Sequence, residues 1–337
     1  MNTTVNRRLV LTKKGGPEVI QIVTEPLPVP DAGQALVKVA ASGVAFGDVA
    51  KRRGAIPGMP AYPYTPGYDC VGEVVSIRGA DHGLAVGDPV GVFLVNGGNA
   101  DYVSAPTSRL VKIPAGVDLR AAACIPLNYV TAWQLLFRVA KVQAGQTVLI
   151  HGAAGGVGTA LLQLCQRSEV SAYGTASAGK HDVVRRYGGR PIDYRSEDFV
   201  ARIMKETGGA GVDAVFDPVG GKDLARSNAV VKKGGYLAVF GMSSAVSRGA
   251  LVALGTILRS VWYALLPNGK GCAFYGISAS KFSNHENIVE DMRELFSMLA
   301  RGQIEPLIGA TFPLAQGQAA HELMESGPPP GKILIAG

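Results

Sequence analysis

No Cys-x-x-Cys pair occurs in this chain: its four cysteines, Cys70, Cys124, Cys165 and Cys272, lie far apart. Their spacing excludes a zinc ribbon and a thioredoxin-type redox pair. Their apolar neighbours point to reduced, buried thiols and a cytoplasmic protein. The segment Met1–Arg8 is polar, so no secretory signal is expected. Charged residues make up only 18% of the chain against 47% hydrophobic, which excludes a disordered polypeptide. The net charge is +7, but no stretch interleaves clustered Lys or Arg with aromatics, so no nucleic-acid partner is expected. Long apolar runs are equally scarce. Gly249–Leu266 comes nearest, and it is interrupted by Arg259 and sits at the low edge of a bilayer span. It reads as a buried or oligomer-facing helix. A lid over an apolar substrate pocket and a membrane contact are the alternatives.

What the chain does have is length for two domains and 44 glycines. The most informative of these lie in Thr147–Gly158, which reads TVLIHGAAGGVG. Apolar β-formers end at Ile150, a turn carries Gly152, Gly155, Gly156 and Gly158, and Ala160, Leu161, Leu164 and Cys165 then recur at helical spacing. Strand, glycine turn and helix in that order build an anion site. Glycines let the backbone approach a pyrophosphate, and the N–H groups of the helix start point at it. Around this unit, strand-like segments Val170–Gly174, Pro191–Asp193, Val212–Asp217 and Tyr236–Phe240 alternate with helix-like segments Lys180–Tyr187, Glu197–Thr207 and Leu224–Val231. Such alternation predicts a doubly wound parallel sheet, with ligand at the carboxyl ends of its strands.

The first part of the chain, to about Ala121, differs: turn-rich, with alternating strands such as Ala35–Ala40 and Val71–Ile77, it reads as a distorted β-barrel. Ala121–Ala140 looks helical. After Gly271 come a strand (Cys272–Ile277), two helices (His285–Arg301, Gln316–Glu325) and a last strand, Lys332–Ala336, that returns to the first domain.

A carboxylate that grips the ribose of NAD belongs at the end of the second strand, about 20 residues past the glycine turn. None lies between Glu169 and Asp182. Ser177 and Lys180 stand there instead, with Tyr194 and Arg195 after the next strand. A hydroxyl, an ammonium and a phenol suit a 2′-phosphate, so NADPH is the expected cofactor. His151, at a strand end, reads as a hydrogen-bonded core residue.

The chain resembles the medium-chain dehydrogenases/reductases of the zinc-independent quinone oxidoreductase (zeta-crystallin) branch. The resemblance runs nearly full length. It is carried by the segments 40–48 (AASGVAFGD), 66–73 (PGYDCVGE), 87–90 (GDPV), the 152–158 turn, 173–180 (YGTASAGK), 192–195 (IDYR) and 217–221 (DPVGG). Within the branch, Asn128–Ala132 (NYVTA) and the apolar stretch after Phe240 are similar to the synaptic vesicle membrane protein group. The resemblance implies a β-rich GroES-like substrate domain over residues 1–122 and 273–337 and a Rossmann-type NADPH-binding domain over 123–272. It aligns Lys180 and Tyr194, with Ser177 nearby, to holders of the NADP phosphate. It implies that Gly155, Gly156, Val157, Gly158, Thr175, Pro218, Val219, Phe240, Gly241, Met242, Phe274 and Tyr275 line the cofactor. Asn128 and Thr131 fall on its nicotinamide side, and Lys332 follows the final turn toward it. A homodimer joined along Cys272–Ile277 is implied as well.

The family's zinc-dependent members need a Cys where this chain has Ala45, and a His where it has Tyr68, followed here by Asp69. No cluster of four cysteines follows Gly91. No metal site is therefore expected. The polar Asn and Tyr common at positions 45 and 56 are Ala45 and Ile56, which leaves a more apolar pocket. Hydride transfer to a small apolar carbonyl or quinone then needs only hydrogen-bond donors for the developing oxyanion. Tyr62, Tyr64, Tyr68 and Tyr129 are candidate phenols. Asp48 is a candidate proton relay or a helix cap. The expected activity is an NADPH-dependent, zinc-independent quinone or enone reductase. The alternative is an NADPH-binding, membrane-associated regulatory protein with little turnover.

Overall fold

Strands in the later half of the chain are near-continuous apolar runs, the pattern of strands covered on both faces. They form a six-stranded sheet with spatial order Gly189–Asp193, Ser171–Ala176, Thr147–His151, Val212–Asp217, Val231–Val239, Gly271–Phe274. Every neighbouring pair is parallel. The chain winds outward from Thr147–His151 to one side, then crosses to start the other side at Val212–Asp217. The switch point lies between these two strands, where a ligand crevice opens at the carboxyl edge. This is a computed structural model, and it describes residues 5–56, 60–278 and 285–337.

The chain divides into two compact units: Met1–Gly54, Gly58–Val130 and Ser278–Gly337 form one, Ala55–Pro57 and Thr131–Ile277 the other. The second unit is the Rossmann-like one. Leu149, Tyr173, Phe199, Ile203, Val215 and Leu237 are part of its core, on one face of the sheet. The first unit is the GroES-like one. Its main sheet runs Ile308–Phe312, Lys332–Ala336, Gln34–Val44, Asp69–Arg78, Pro89–Phe93, Val111–Lys112, with Tyr102–Pro106 also paired to Gln34–Val44. Register shifts at Leu36/Val37 and Val39/Ala41 bend Gln34–Val44, so that one long strand serves several neighbours. The closing strand Lys332–Ala336 pairs antiparallel with Gln34–Val44, which ties the C-terminus into the N-terminal sheet.

Several expected bounds shift. Helix Leu224–Ala229 stops short of Val231, because the Val230 carbonyl accepts the Val212 N–H (2.8 Å) and Val231 begins a strand that runs on to Val239. The expected helix 121–140 is a run of mixed pitch: α at Leu119–Ala122, π at Ile125–Tyr129, α at Val130–Trp133 and π at Gln134–Val139. The unit boundary falls inside this run, at Val130/Thr131, and again at Ile277/Ser278.

Candidate functional site

The glycine turn depends on close backbone approach. Gly152 has φ +64°, a conformation that favours glycine, and its carbonyl accepts the Gly155 N–H at 2.9 Å. A Cβ on Gly158 would lie 2.4 Å from that same carbonyl oxygen, so only glycine lets helix Gly156–Arg167 start against the turn. No side chain caps this helix. Its first N–H groups, those of Gly156, Val157 and Gly158, have no acceptor within the helix itself. They form the positive end of a twelve-residue helix at the sheet's carboxyl edge.

A chain of buried hydrogen bonds holds the turn from below. The Gly152 N–H donates to Thr175 Oγ1 (3.3 Å), and Thr175 Oγ1 meets His151 Nδ1 (3.0 Å). His151 Nε2 meets Ser227 Oγ (3.1 Å), which donates to Asp217 Oδ2 (2.7 Å). Because the Ser227 proton goes to Asp217, His151 donates from Nε2 and accepts the Thr175 proton at Nδ1. Burial holds the His151 pKa below its ordinary value against the pull of Asp217, which keeps the ring neutral. The other oxygen of Asp217 accepts the N–H groups of Val219 (2.7 Å) and Gly220 (2.9 Å). Thr175 thus acts through the turn: its hydroxyl is committed inside the fold. His151 is a hydrogen-bonded core residue that couples three parallel strand ends.

At the sheet's outer end, Asp193 pairs in register with Ala176. Ser177 and Tyr194, the next residues, therefore leave adjacent strand ends side by side. Lys180 closes the short 3-10 turn Ala178–Lys180, with its N–H on the Ser177 carbonyl (2.8 Å). Tyr194 is exposed, and the Arg195 guanidinium lies 5.7 Å from its ring centre.

On the far side of the switch point, two strand ends touch backbone to backbone. A Cβ on Gly241 would lie 2.6 Å from the Pro218 carbonyl oxygen, and the Ser243 N–H donates to that oxygen at 3.1 Å. This sets Pro218 and Val219 beside Phe240, Gly241 and Met242. Phe274 packs on the sheet core, while the Tyr275 hydroxyl is taken up by Gln134 Oε1 (2.5 Å). The Thr131 hydroxyl is buried with no partner among the described residues.

Helix Ala250–Leu265 anchors the 217–221 loop, a role that reading the sequence missed. Thr256 Oγ1 accepts the Gly221 N–H (3.0 Å) and donates to the Val252 carbonyl (2.8 Å), while Arg259 Nη1 donates to the Gly221 carbonyl (3.1 Å). The available signal was Thr256, Arg259 and Ser260 spaced three to four apart in an otherwise apolar helix. Thr256→Val strands the buried Gly221 N–H and is expected to cost about 1–3 kcal/mol, whereas Thr256→Ser keeps the bond. Urea unfolding measures this, and equal midpoints for Val and Ser variants would remove the anchor.

In the first unit, Asp48 is fully buried with both oxygens engaged: Oδ2 accepts the Ala45 N–H (3.0 Å) and Oδ1 the Gly67 N–H (3.1 Å), with Lys51 Nζ at 3.6 Å. The geometry is that of a helix-start cap that also fastens a loop. Tyr64 is buried, its ring centre 5.5 Å from that of Tyr62, and its hydroxyl has no partner among the described residues. Burial, helped by Tyr62 and Asp48 against Arg52, raises its pKa, so it remains a protonated donor. Tyr129 is buried and interacts within the fold. His321 is fully buried and its pKa is pushed down to about 4, chiefly by burial. The cysteines are free and buried, with the thiols of Cys124, Cys165 and Cys272 pushed up to about 12 by desolvation.

Lys332 is engaged within its own unit. Its ammonium is buried on Asp69 Oδ2 and on the Ala123 carbonyl (2.7 Å). The positions at which zinc-dependent relatives carry ligands hold three groups unsuited to the metal. Ala45 offers a methyl. Tyr68 is a phenol kept protonated by burial, with Lys51 Nζ 3.7 Å from its ring centre. Asp69 is committed to Lys332. These residues do not fit a zinc ion.

Comparison with known proteins accords with this architecture. Residues 31–115 match the alcohol dehydrogenase GroES-like domain, and 189–335 match a family described as zinc-binding dehydrogenase. The rat synaptic vesicle membrane protein VAT-1 homolog is 33% identical over 98% of this chain and 83% of its own length. The Escherichia coli quinone oxidoreductase, solved in complex with NADPH, has a TM-score of 0.85 at 28% identity and covers 98% of this chain and 100% of its own. CurK enoyl reductase has a TM-score of 0.86 at 25% identity, over 98% of this chain and 99% of its own. A glycine turn at the switch point of a parallel sheet, together with a GroES-like unit, defines a medium-chain dehydrogenase/reductase. This chain belongs to that family and stands close to its VAT-1 homologs and quinone oxidoreductases.

Proposed function

We propose that this protein is an NADPH-dependent reductase of quinones or α,β-unsaturated carbonyls that works without zinc. The observation that carries the reading is the pairing of Asp193 with Ala176, which sets Ser177 and Tyr194 on neighbouring strand ends. Lys180 follows, and no carboxylate occurs from Val170 to His181. The Escherichia coli structure in complex with NADPH and the enoyl reductase likeness support the cofactor and the acceptor class. The chemistry of the residues fits the cofactor: free helix-start amides for a pyrophosphate, hydroxyls and an ammonium for a 2′-phosphate, and the buried, unpartnered Thr131 hydroxyl for an amide or ribose.

Bound there, NADPH supplies a hydride to an electron-poor carbon. The protein's share is placement and polarity. Pro218–Val219 and Phe240–Met242 form the ribose and nicotinamide wall, held by Asp217 and by Thr256. The Tyr64 phenol serves as hydrogen-bond donor to the acceptor oxygen on which charge develops. A homodimer along the edge strand Gly271–Phe274 fits its place at the end of the sheet.

Fluorescence titration tests the cofactor. NADPH is expected to bind more tightly than NADH. Lys180→Glu should weaken NADPH by about 10- to 100-fold, the loss of a charge-assisted contact, with NADH little changed. Equal affinity of the wild-type protein for both nucleotides would overturn the assignment. A second reading, an NADPH-binding protein with little turnover, draws on Ala45 and Ile56, which offer no side-chain donor. Tight NADPH binding without oxidation across a panel of enals, enones and quinones would select it.

A further inference from the structure

Helix Phe46–Arg52 carries a lysine that the fold takes out of water. Lys51 is 4% exposed, and its ammonium lies 3.7 Å from the ring centre of Tyr68 and 3.6 Å from Asp48 Oδ1. Burying an ammonium is costly unless it is paired and hydrogen-bonded. Nζ donates to the Val95 carbonyl (2.6 Å) and to Asn96 Oδ1 (2.6 Å), both on the loop after strand Pro89–Phe93. Val95 has φ +81°, a strained conformation for a β-branched residue, which persists only where its surroundings fix it. The surroundings here are explicit. The Tyr68 carbonyl accepts the N–H groups of Leu94 (2.6 Å) and Val95 (3.0 Å), the Thr65 carbonyl that of Gly97 (2.9 Å) and the Gly67 carbonyl that of Gly98 (3.0 Å). The backbone is thus pinned on both sides of Asn96.

Bonding to an ammonium fixes which way the amide points. A lysine ammonium only donates, so the oxygen of Asn96 faces Lys51 and its NH2 group is turned away. Asn96 is half-buried, and among the described residues its Nδ2 has no acceptor. The ammonium draws charge from the amide oxygen, which makes the N–H groups better donors. A carboxylate would hold Lys51 as well as an amide does. The amide adds two N–H donors for which Lys51 has no use. Its neighbourhood is also informative. Tyr68, whose ring lies against the Lys51 ammonium, and Ala45, which starts the Lys51 helix, are the positions where zinc-dependent relatives carry ligands. Neither Ala45 nor Ile56 offers a side-chain donor, and Asn96 does.

We propose that Asn96, aimed by Lys51, donates a hydrogen bond to the oxygen of the acceptor, beside the Tyr64 phenol. The proposal rests on the reductase reading. Hydride forms the new C–H bond at the electron-poor carbon, the displaced electron pair moves through the conjugated system to oxygen, and the resulting enolate takes its proton from water. The amide stabilises that oxygen while keeping its own protons. Asn96 is then a catalytic residue and Lys51 a positioning residue.

Steady-state kinetics of NADPH oxidation with crotonaldehyde and menadione test it. Asn96→Asp keeps an oxygen on Lys51 and removes both donors, and its kcat is expected to fall about 100-fold with KM and NADPH affinity little changed. Asn96→Ala should fall as far, and both should keep the wild-type unfolding midpoint. Lys51→Met frees the amide to turn and is expected to lower kcat about tenfold. Adding Asn96→Ala to it should then cost only about tenfold more, whereas independent defects would multiply in full. Full multiplication would remove Lys51 from the proposal. Wild-type turnover in Asn96→Asp and Asn96→Ala overturns the role of Asn96 and leaves the reductase reading in place. A wild-type chain that oxidises NADPH with neither acceptor overturns that reading, and this role with it.

Discussion

Lys332→Met is expected to destabilise the GroES-like unit by about 3–5 kcal/mol, because it leaves the Asp69 carboxylate buried and unpaired. That is a large share of the roughly 5–15 kcal/mol that holds an ordinary domain together. The pair is fully enclosed: Asp69 is 0% and Lys332 3% exposed. Burial pushes the Asp69 pKa up while Lys332 and the Leu127 N–H (3.1 Å) pull it back. Packing around the pair is tight, since a Cβ on Gly43 would sit 2.3 Å from Lys332 Cε and 2.6 Å from Asp69 Oδ1. The contact joins strands Asp69–Arg78 and Lys332–Ala336 to the helical run at Ala123, so its loss acts on three elements. Urea unfolding at neutral pH reads the effect. The double variant Asp69→Leu with Lys332→Met should recover much of the loss, because two apolar side chains leave no stranded charge. Lys332 first suggested itself as a cofactor contact. If that were its role, Lys332→Met would leave the unfolding midpoint alone and weaken NADPH binding instead.

The same pair shows where sequence reasoning stops. Asp69 and Lys332 are 263 positions apart, and no local pattern announces their meeting. Local patterns did carry the frame. Val212–Asp217 and Lys332–Ala336 stand out as apolar runs and are strands with those bounds. The glycine turn is legible because each glycine answers a backbone need that a side chain would block. Ends were harder: Val231 is a β-former at the end of a helical apolar pattern, and its pairing with Val212 makes it the first residue of a strand. Helix 250–265 is the sharpest case. Its apolar composition is plain in the sequence, but which face meets the protein depends on Gly221 offering its N–H to Thr256 and its carbonyl to Arg259. The π segments around Asn128 and Gln134 have no sequence signature beyond Pro126.

Tyr64→Phe is expected to cut the rate of enone or quinone reduction by about 100- to 1,000-fold, the usual consequence of removing one oxyanion donor. A buried hydroxyl without an acceptor costs about 1–3 kcal/mol, and Tyr64 Oη is in that position among the described residues. An oxygen that develops negative charge during hydride transfer is the acceptor such a group lacks. Its raised pKa keeps the proton on the phenol at neutral pH, ready to be shared. Three readouts separate this role from packing. Catalytic turnover should fall, NADPH affinity should stay the same, and the unfolding midpoint should hold or rise, since phenylalanine gives up no hydrogen bond. A Tyr64→Phe enzyme with undiminished turnover would return Tyr64 to the core and leave the acceptor oxygen to another donor.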